Sequence, residues 1–302
     1  MKPIIGYIKA YFHETDKRVL AIVSILTACL IFLNYHFHID DQIDNLKSFK
    51  TSLLGRFLIF FTAFVIPYAV YAIVCRKSYF RNRGMILLLL AAPFIFSLKV
   101  ALNPNLHFSD NWYTDNFWNH VFYWPSLLVI TATILFITWK IADKDQPFYG
   151  IRTKNMNWKP YLIMLLIMLP LIAAASTQPD FLAVYPKLKS VADVGNINEL
   201  TWWQKLLFEL SYGSDFITIE LFFRGFLILA FIKWAGKDAI LPMACFYCTI
   251  HFGKPLGECI SSYFGGMILG IVVYHTRSIL GGLIVHLGIA WLMEIGGYVG
   301  NA

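Results

Sequence analysis

Residues 208–231 read FELSYGSDFITIELFFRGFLILAF, and the fold turns on how this stretch is read. It has the length and apolar content of a membrane-crossing helix, yet Glu220 and Arg224 stand among its Leu, Ile and Phe residues. An ionised side chain near mid-bilayer costs at least ~2.5–3.5 kcal/mol on insertion scales, so such groups face a protein interior and mark function. Glu220 and Arg224 are four residues apart, which puts them on one face of an α-helix where each can neutralise the other. A structural ion pair locking a helix bundle is the plain alternative. Two histidines inside later apolar runs, His251 and His286, weigh against it.

The rest of the chain is of the same character. Of its 302 residues 58% are hydrophobic and 14% charged, which is the composition of a polytopic membrane protein and not of a soluble enzyme. The 17% of aromatic residues suits interfacial belts. A net charge of +7 fits basic cytoplasmic loops. No basic stripe with exposed aromatics and no Gly-rich phosphate loop is present, so nucleic acid is not an expected partner. The five cysteines, among them the Cys245–Cys248 CxxC, lie in or beside apolar segments. They read as small buried residues, not as a disulfide framework. Residues 1–18 are polar, and the run after them lacks a small-residue cleavage site, so it is expected to stay as the first helix.

Apolar runs long enough to span occur at 19–39, 57–75, 84–102, 121–139 and 160–177, the third interrupted by Lys99 near its end. The organising helix follows at 206–233, then 239–252, 256–274 and 278–298. The seventh of these is short, which makes the expectation eight to nine transmembrane helices in an all-α polytopic bundle. Loop 75–84 carries Arg76, Lys77, Arg81 and Arg83 with no acid, and 140–159 is also basic, whereas 103–117 holds Asp110 and Asp115 and no Lys or Arg. This alternation places the N-terminus and the basic loops in the cytoplasm and makes the protein multi-pass, expected in the cell membrane. Three regions follow: anchoring and packing helices over 1–177, a Pro-containing linker or short lid over 178–200, and core helices over 201–302. No internal repeat is visible, which counts against a transporter built from duplicated halves.

Up to about residue 177 the runs are nearly free of charge, and from residue 206 onward polar groups gather within the apolar segments: Glu209, Asp215, Glu220, Arg224, His251, Glu258, His286 and Glu294. Glu258 and Glu294 lie near segment ends, where reaching the interface is the simple reading, and Asp215 suits a helix cap. Gly265, Gly266 and Gly270, with Gly281 and Gly282, are small residues that let helix backbones approach. A glutamate, an arginine and two histidines on three tightly packed spans are what an enclosed intramembrane site requires.

These residues carry a resemblance. ELFFRGFL at 220–227, an aromatic-xxx-His at 247–251 and YHTRSILGGLIVH at 274–286 resemble the type II CAAX prenyl endopeptidases, also called the CPBP or Abi family, which are intramembrane glutamic-type proteases. The likeness runs from about 215 to 290. The family pattern is EExxxR, FxxxH and HxxxN or HxxxD; here Ile219 stands for the first glutamate, Tyr247 for the phenylalanine and Ala290 for the last Asn or Asp. The resemblance implies endopeptidase activity on a membrane-associated protein or peptide within the lipid bilayer, with no cofactor and no metal. It also implies the catalytic set: Glu220 and His251 activating water, His286 holding the oxyanion, and Arg224 orienting Glu220. Asp215, Glu258 or Glu294 could replace the missing carboxylate.

Because two positions of the pattern are apolar, a catalytically inactive pseudoprotease that binds a membrane partner is the second reading. A zinc site from His251, His286 and Glu220 or Glu258 and a proton-coupled transporter remain as further alternatives.

Overall fold

The computed structural model describes residues 2–153, 157–191 and 200–301, and no strand occurs among them. Part of the expected linker, 192–199, lies outside the described residues. The helices are α1 (Lys2–Glu14), α2 (Lys17–Phe37), α3 (Ile39–Asp44), α4 (Phe49–Val74), α5 (Arg83–Ala101), α6 (Trp112–Ala142) and α7 (Lys159–Ala175). There follow α8 (Pro179–Val184), α9 (Trp202–Ile219), α10 (Ile232–Ala235), α11 (Ile240–Thr249), α12 (Leu256–Thr276) and α13 (Leu280–Gly300). Between α9 and α10, Glu220–Ala230 forms a π-helix. By length and composition α2, α4, α5, α6, α12 and α13 are able to cross a membrane, and α7 is a shorter apolar helix. The chain is an all-α, multi-pass membrane protein.

Two helices outrun the apolar runs that announce them. α4 starts at Phe49, not near residue 57, and α6 at Trp112, not near residue 121. The charge-free run marks what lipid can surround, whereas the helix continues to its cap: the Asn111 side chain accepts from the Thr114 amide at 3.1 Å. Asp215 is not a cap either, because α9 begins at Trp202. There the Gln204 side chain accepts from the Thr201 amide at 2.9 Å in a capping box.

Asp16 caps α2 by accepting from the Arg18 amide at 2.8 Å. The Arg18 side chain, then its amide, holds the Asp16 carboxyl well below the ordinary value of 3.8. An acid depressed in the folded state contributes stability above its unfolded pKa and loses it as pH falls through the folded one. Asp16→Ala is therefore expected to lower Tm at neutral pH. The gap to wild type should shrink in melts taken below about pH 4.

The chain divides into two compact units, Met1–Leu102 with Phe223–Ser278, and Asn103–Phe222 with Ile279–Ala302. In the first unit the helices meet around a cluster of rings. Phe246 lies 5.0 Å from Phe60, 5.1 Å from Phe223 and 5.8 Å from Phe96, centroid to centroid. In a bilayer the lipid is as apolar as these rings, so helix association rests on close packing and dispersion, not on water exclusion. Small residues supply the closeness. A Cβ at Gly266 would stand 2.7 Å from Tyr247 Cδ1, and one at Gly270 would stand 2.6 Å from Met243 Cε. Gly265 meets nothing within 4 Å, so only the i, i+4 pair of the three glycines forms the contact face. The CxxC is likewise not a pair of partners, since Cys248 Sγ lies 3.9 Å from Cys259 Sγ and Cys245 accepts from Thr27.

In the second unit α9 packs on α6 through Trp124, whose ring is 5.4 Å from Phe208 and 5.3 Å from Tyr212. Phe117, Val121, Leu188, Val191 and Phe208 form the buried core there. A strap over 178–191 turns back onto α13. The Lys187 amide donates to Glu294 Oε2 at 2.8 Å, and Asn301 Nδ2 donates to the Tyr185 carbonyl at 3.0 Å. Glu294 is thus buried, at 2% exposure, instead of reaching the interface, because the strap gives its carboxylate a donor. Glu258 pairs with Lys254 at 3.6 Å.

Candidate active site

α9 leads into the site along one stripe. Phe208, Tyr212 and Phe216 recur every four residues, so in an α-helix they share a face. The Tyr212 and Phe216 rings are 5.2 Å apart, and Phe216 meets the His286 ring edge-on at 4.8 Å. The next position in the series is Glu220, which is fully buried. Glu220 Oε1 and His286 Nδ1 are 2.9 Å apart, within the range of a charge-assisted hydrogen bond. A buried carboxylate is tolerated only with such a partner. The other oxygen, Oε2, would be 2.6 Å from a Cβ at Gly282, so glycine one turn before His286 makes the room the carboxylate occupies. Glu220 and His286 are therefore brought together, as two members of the expected set.

Glu220 also begins the π-helix. A π turn closes its hydrogen bond one residue later than an α turn, which rotates the side chains that follow relative to an α-helical register. π segments recur at functional sites.

Arg224, Tyr247 and His251 form the second cluster, within the first unit. Arg224 is fully buried, and its guanidinium carbon lies 3.9 Å from the centroid of the Tyr247 ring. This is a cation–π contact in a desolvated place. Tyr247 in turn meets the His251 ring at 4.7 Å, and its main-chain oxygen lies 3.1 Å from His251 Nδ1. A carbonyl oxygen can only accept, so Nδ1 carries the proton and a neutral ring has its lone pair on Nε2. His251 stands in the turn after α11, where Gly253 adopts φ +77° and Tyr35 donates to the Lys254 carbonyl at 2.6 Å.

Ile219 and Ala290, at the two degenerate positions, are buried. Among the described residues no group of three His, Cys, Asp or Glu side chains is gathered as metal ligands would be. The neighbours that sequence reasoning missed are Phe216 and the particular use of Gly282. Phe216 had a signal in the four-residue aromatic stripe that ends at Glu220. Gly282 had one in lying four residues before His286.

Residues 201–292 match the family model described as type II CAAX prenyl endopeptidase Rce1-like. This bears out the resemblance carried by ELFFRGFL and YHTRSILGGLIVH. No curated protein and no solved structure gives a significant match. The segment 201–292 is thus similar to a family of membrane endopeptidases.

Proposed function

We propose that the protein hydrolyses a peptide bond of a membrane-associated substrate by direct attack of water, as an intramembrane glutamic-type endopeptidase of the cell membrane. The core over 201–302 carries the chemistry and the helices before 177 anchor it. Glu220 takes a proton from the water, assisted by His251, whose Nε2 holds the lone pair. The hydroxide adds to the carbonyl carbon, and His286 donates to the oxyanion. Collapse expels the amine, which recovers the proton from Glu220. Arg224 orients the carboxylate through its charge. The observation that carries this reading is the 2.9 Å contact between buried Glu220 and His286. The carboxylate stabilises a doubly protonated ring, and such a ring can hold Glu220 with Nδ1–H while offering Nε2–H to the oxyanion.

A second reading has its own observation. Ile219 and Ala290 are apolar and buried, which suits a chain that binds a membrane protein or peptide without cutting it. Both readings are tested by incubating nanodisc-held protein with a library of membrane peptides. Cleavage in wild type that falls by about 10²–10⁴ in His251→Ala, the usual span for a proton-transfer catalyst, supports hydrolysis. Loss on adding a chelator redirects the chemistry to a metal, and stable peptide capture without products supports the binding reading.

A further inference from the structure

The roles above leave Tyr247 without one, yet it touches both other members of its cluster. Its ring face receives Arg224 and its ring meets His251, while its main-chain oxygen fixes the His251 tautomer. The ring is itself tightly framed. Phe223 meets it at 5.2 Å on one side. The backbone of α12 at Gly266 comes so close that an added Cβ would lie 2.7, 3.5 and 3.5 Å from Cδ1, Cε1 and Cγ. At 4% exposure the ring is buried among these neighbours, and the two groups that lean on it take their places from it.

We propose that Tyr247 is a positioning residue that seats the Arg224 cation on its ring face and aims His251 Nε2, with Gly266 as the floor that fixes the ring. This deepens the hydrolytic reading and rests on it for the effect on turnover. The physical basis is the quadrupole of the ring. Its negative face stabilises a guanidinium that lipid-like surroundings would otherwise penalise. The same ring presents a flat contact that holds the imidazole at one angle. This role is assigned to the ring, so phenylalanine is expected to serve in its place.

The experiment compares Tyr247→Phe, Tyr247→Leu and Gly266→Ala in nanodiscs, by two readouts. The first is ¹⁵N imidazole NMR of His251, which reports the tautomer without any need for catalysis. The second is the kcat and KM of peptide cleavage. Tyr247→Leu should lower Tm, shift the His251 ring signals while the Nδ1–H tautomer held by the main-chain oxygen persists, and lower kcat about tenfold with KM little changed, as for one lost desolvated cation–π contact. Gly266→Ala, which keeps the tyrosine but displaces its ring, should move the His251 signals in the same sense. Tyr247→Phe should restore both readouts. Unchanged His251 signals in Tyr247→Leu overturn the proposal, as does a Tyr247→Phe variant impaired as badly as Tyr247→Leu. A wild type that cuts nothing defeats the hydrolytic reading instead, and the NMR readout still decides the role of Tyr247.

Discussion

Glu220→Gln is expected to lower peptide cleavage by about 10²–10⁴-fold, the span that a positioned acid–base group supplies. Glutamine has the same shape, and its carbonyl oxygen can still accept from His286 Nδ1, so the 2.9 Å contact has a replacement and the helices have no cause to move. What glutamine cannot do is take a proton from water. Because the contact survives, the loss should appear in kcat, with KM and Tm near wild type. His286→Asn should also be slow. The double variant should be little worse than the poorer single one, since groups that act as a unit give strongly non-additive losses. Additive losses, or full activity in Glu220→Gln, would remove Glu220 from the chemistry. Equal peptide binding by wild type and variant with no product from either would favour the pseudoprotease.

Gly297→Ala is expected to cost about 1–3 kcal/mol, the usual penalty for atoms forced into a packed interior. A Cβ there would stand 2.5 Å from the Pro186 nitrogen and 2.6 Å from the Tyr185 carbonyl carbon. Both are main-chain atoms, which cannot rotate away as the end of a side chain can. Relief requires the strap to lift off α13 and to strain the bonds from Lys187 to Glu294 and from Asn301 to Tyr185. A lower Tm and faster nicking of residues 178–191 by added protease are the readouts. Gly265→Ala is the matched control. With nothing within 4 Å of its Cβ, the intrinsic preference of helices for alanine, up to ~1 kcal/mol, should leave it neutral or slightly stabilised. Equal melts for the two variants would show that the strap is not seated on Gly297.

The helices were legible because lipid imposes a one-dimensional rule: a span must be predominantly apolar over its length, and that is read directly from the chain. Where the rule stopped, so did the reading. The extra turns of α4 and α6 lie beyond the apolar runs and depend on caps such as Asn111. Glu220, Arg224, His251 and His286 were visible as polar groups out of place. Which of them meet was not, because the Glu220–His286 contact joins residues sixty-six apart through a clearance at Gly282 that only packing reveals. The π-helix was also hidden. Apolar periodicity in a segment as hydrophobic as 221–231, where only Arg224 and Gly225 interrupt the run, does not distinguish one helical pitch from another. Glu294 was misjudged for a related reason. A carboxylate near a helix end looks solvent-bound until a main-chain amide from a distant strap is found beside it.

The two histidines share one habit, which is that each engages its Nδ1 locally: His251 with the Tyr247 carbonyl and His286 with the Glu220 carboxylate. The regiochemistry of the imidazoles is thereby fixed before any substrate arrives. An electrophile that reaches His251 meets its lone pair at the ε position, and His286 offers one there only after releasing its Nε2 proton, so adducts of both residues should belong to a single positional isomer. For a covalent inhibitor, the warhead need be drawn toward only one edge of each ring.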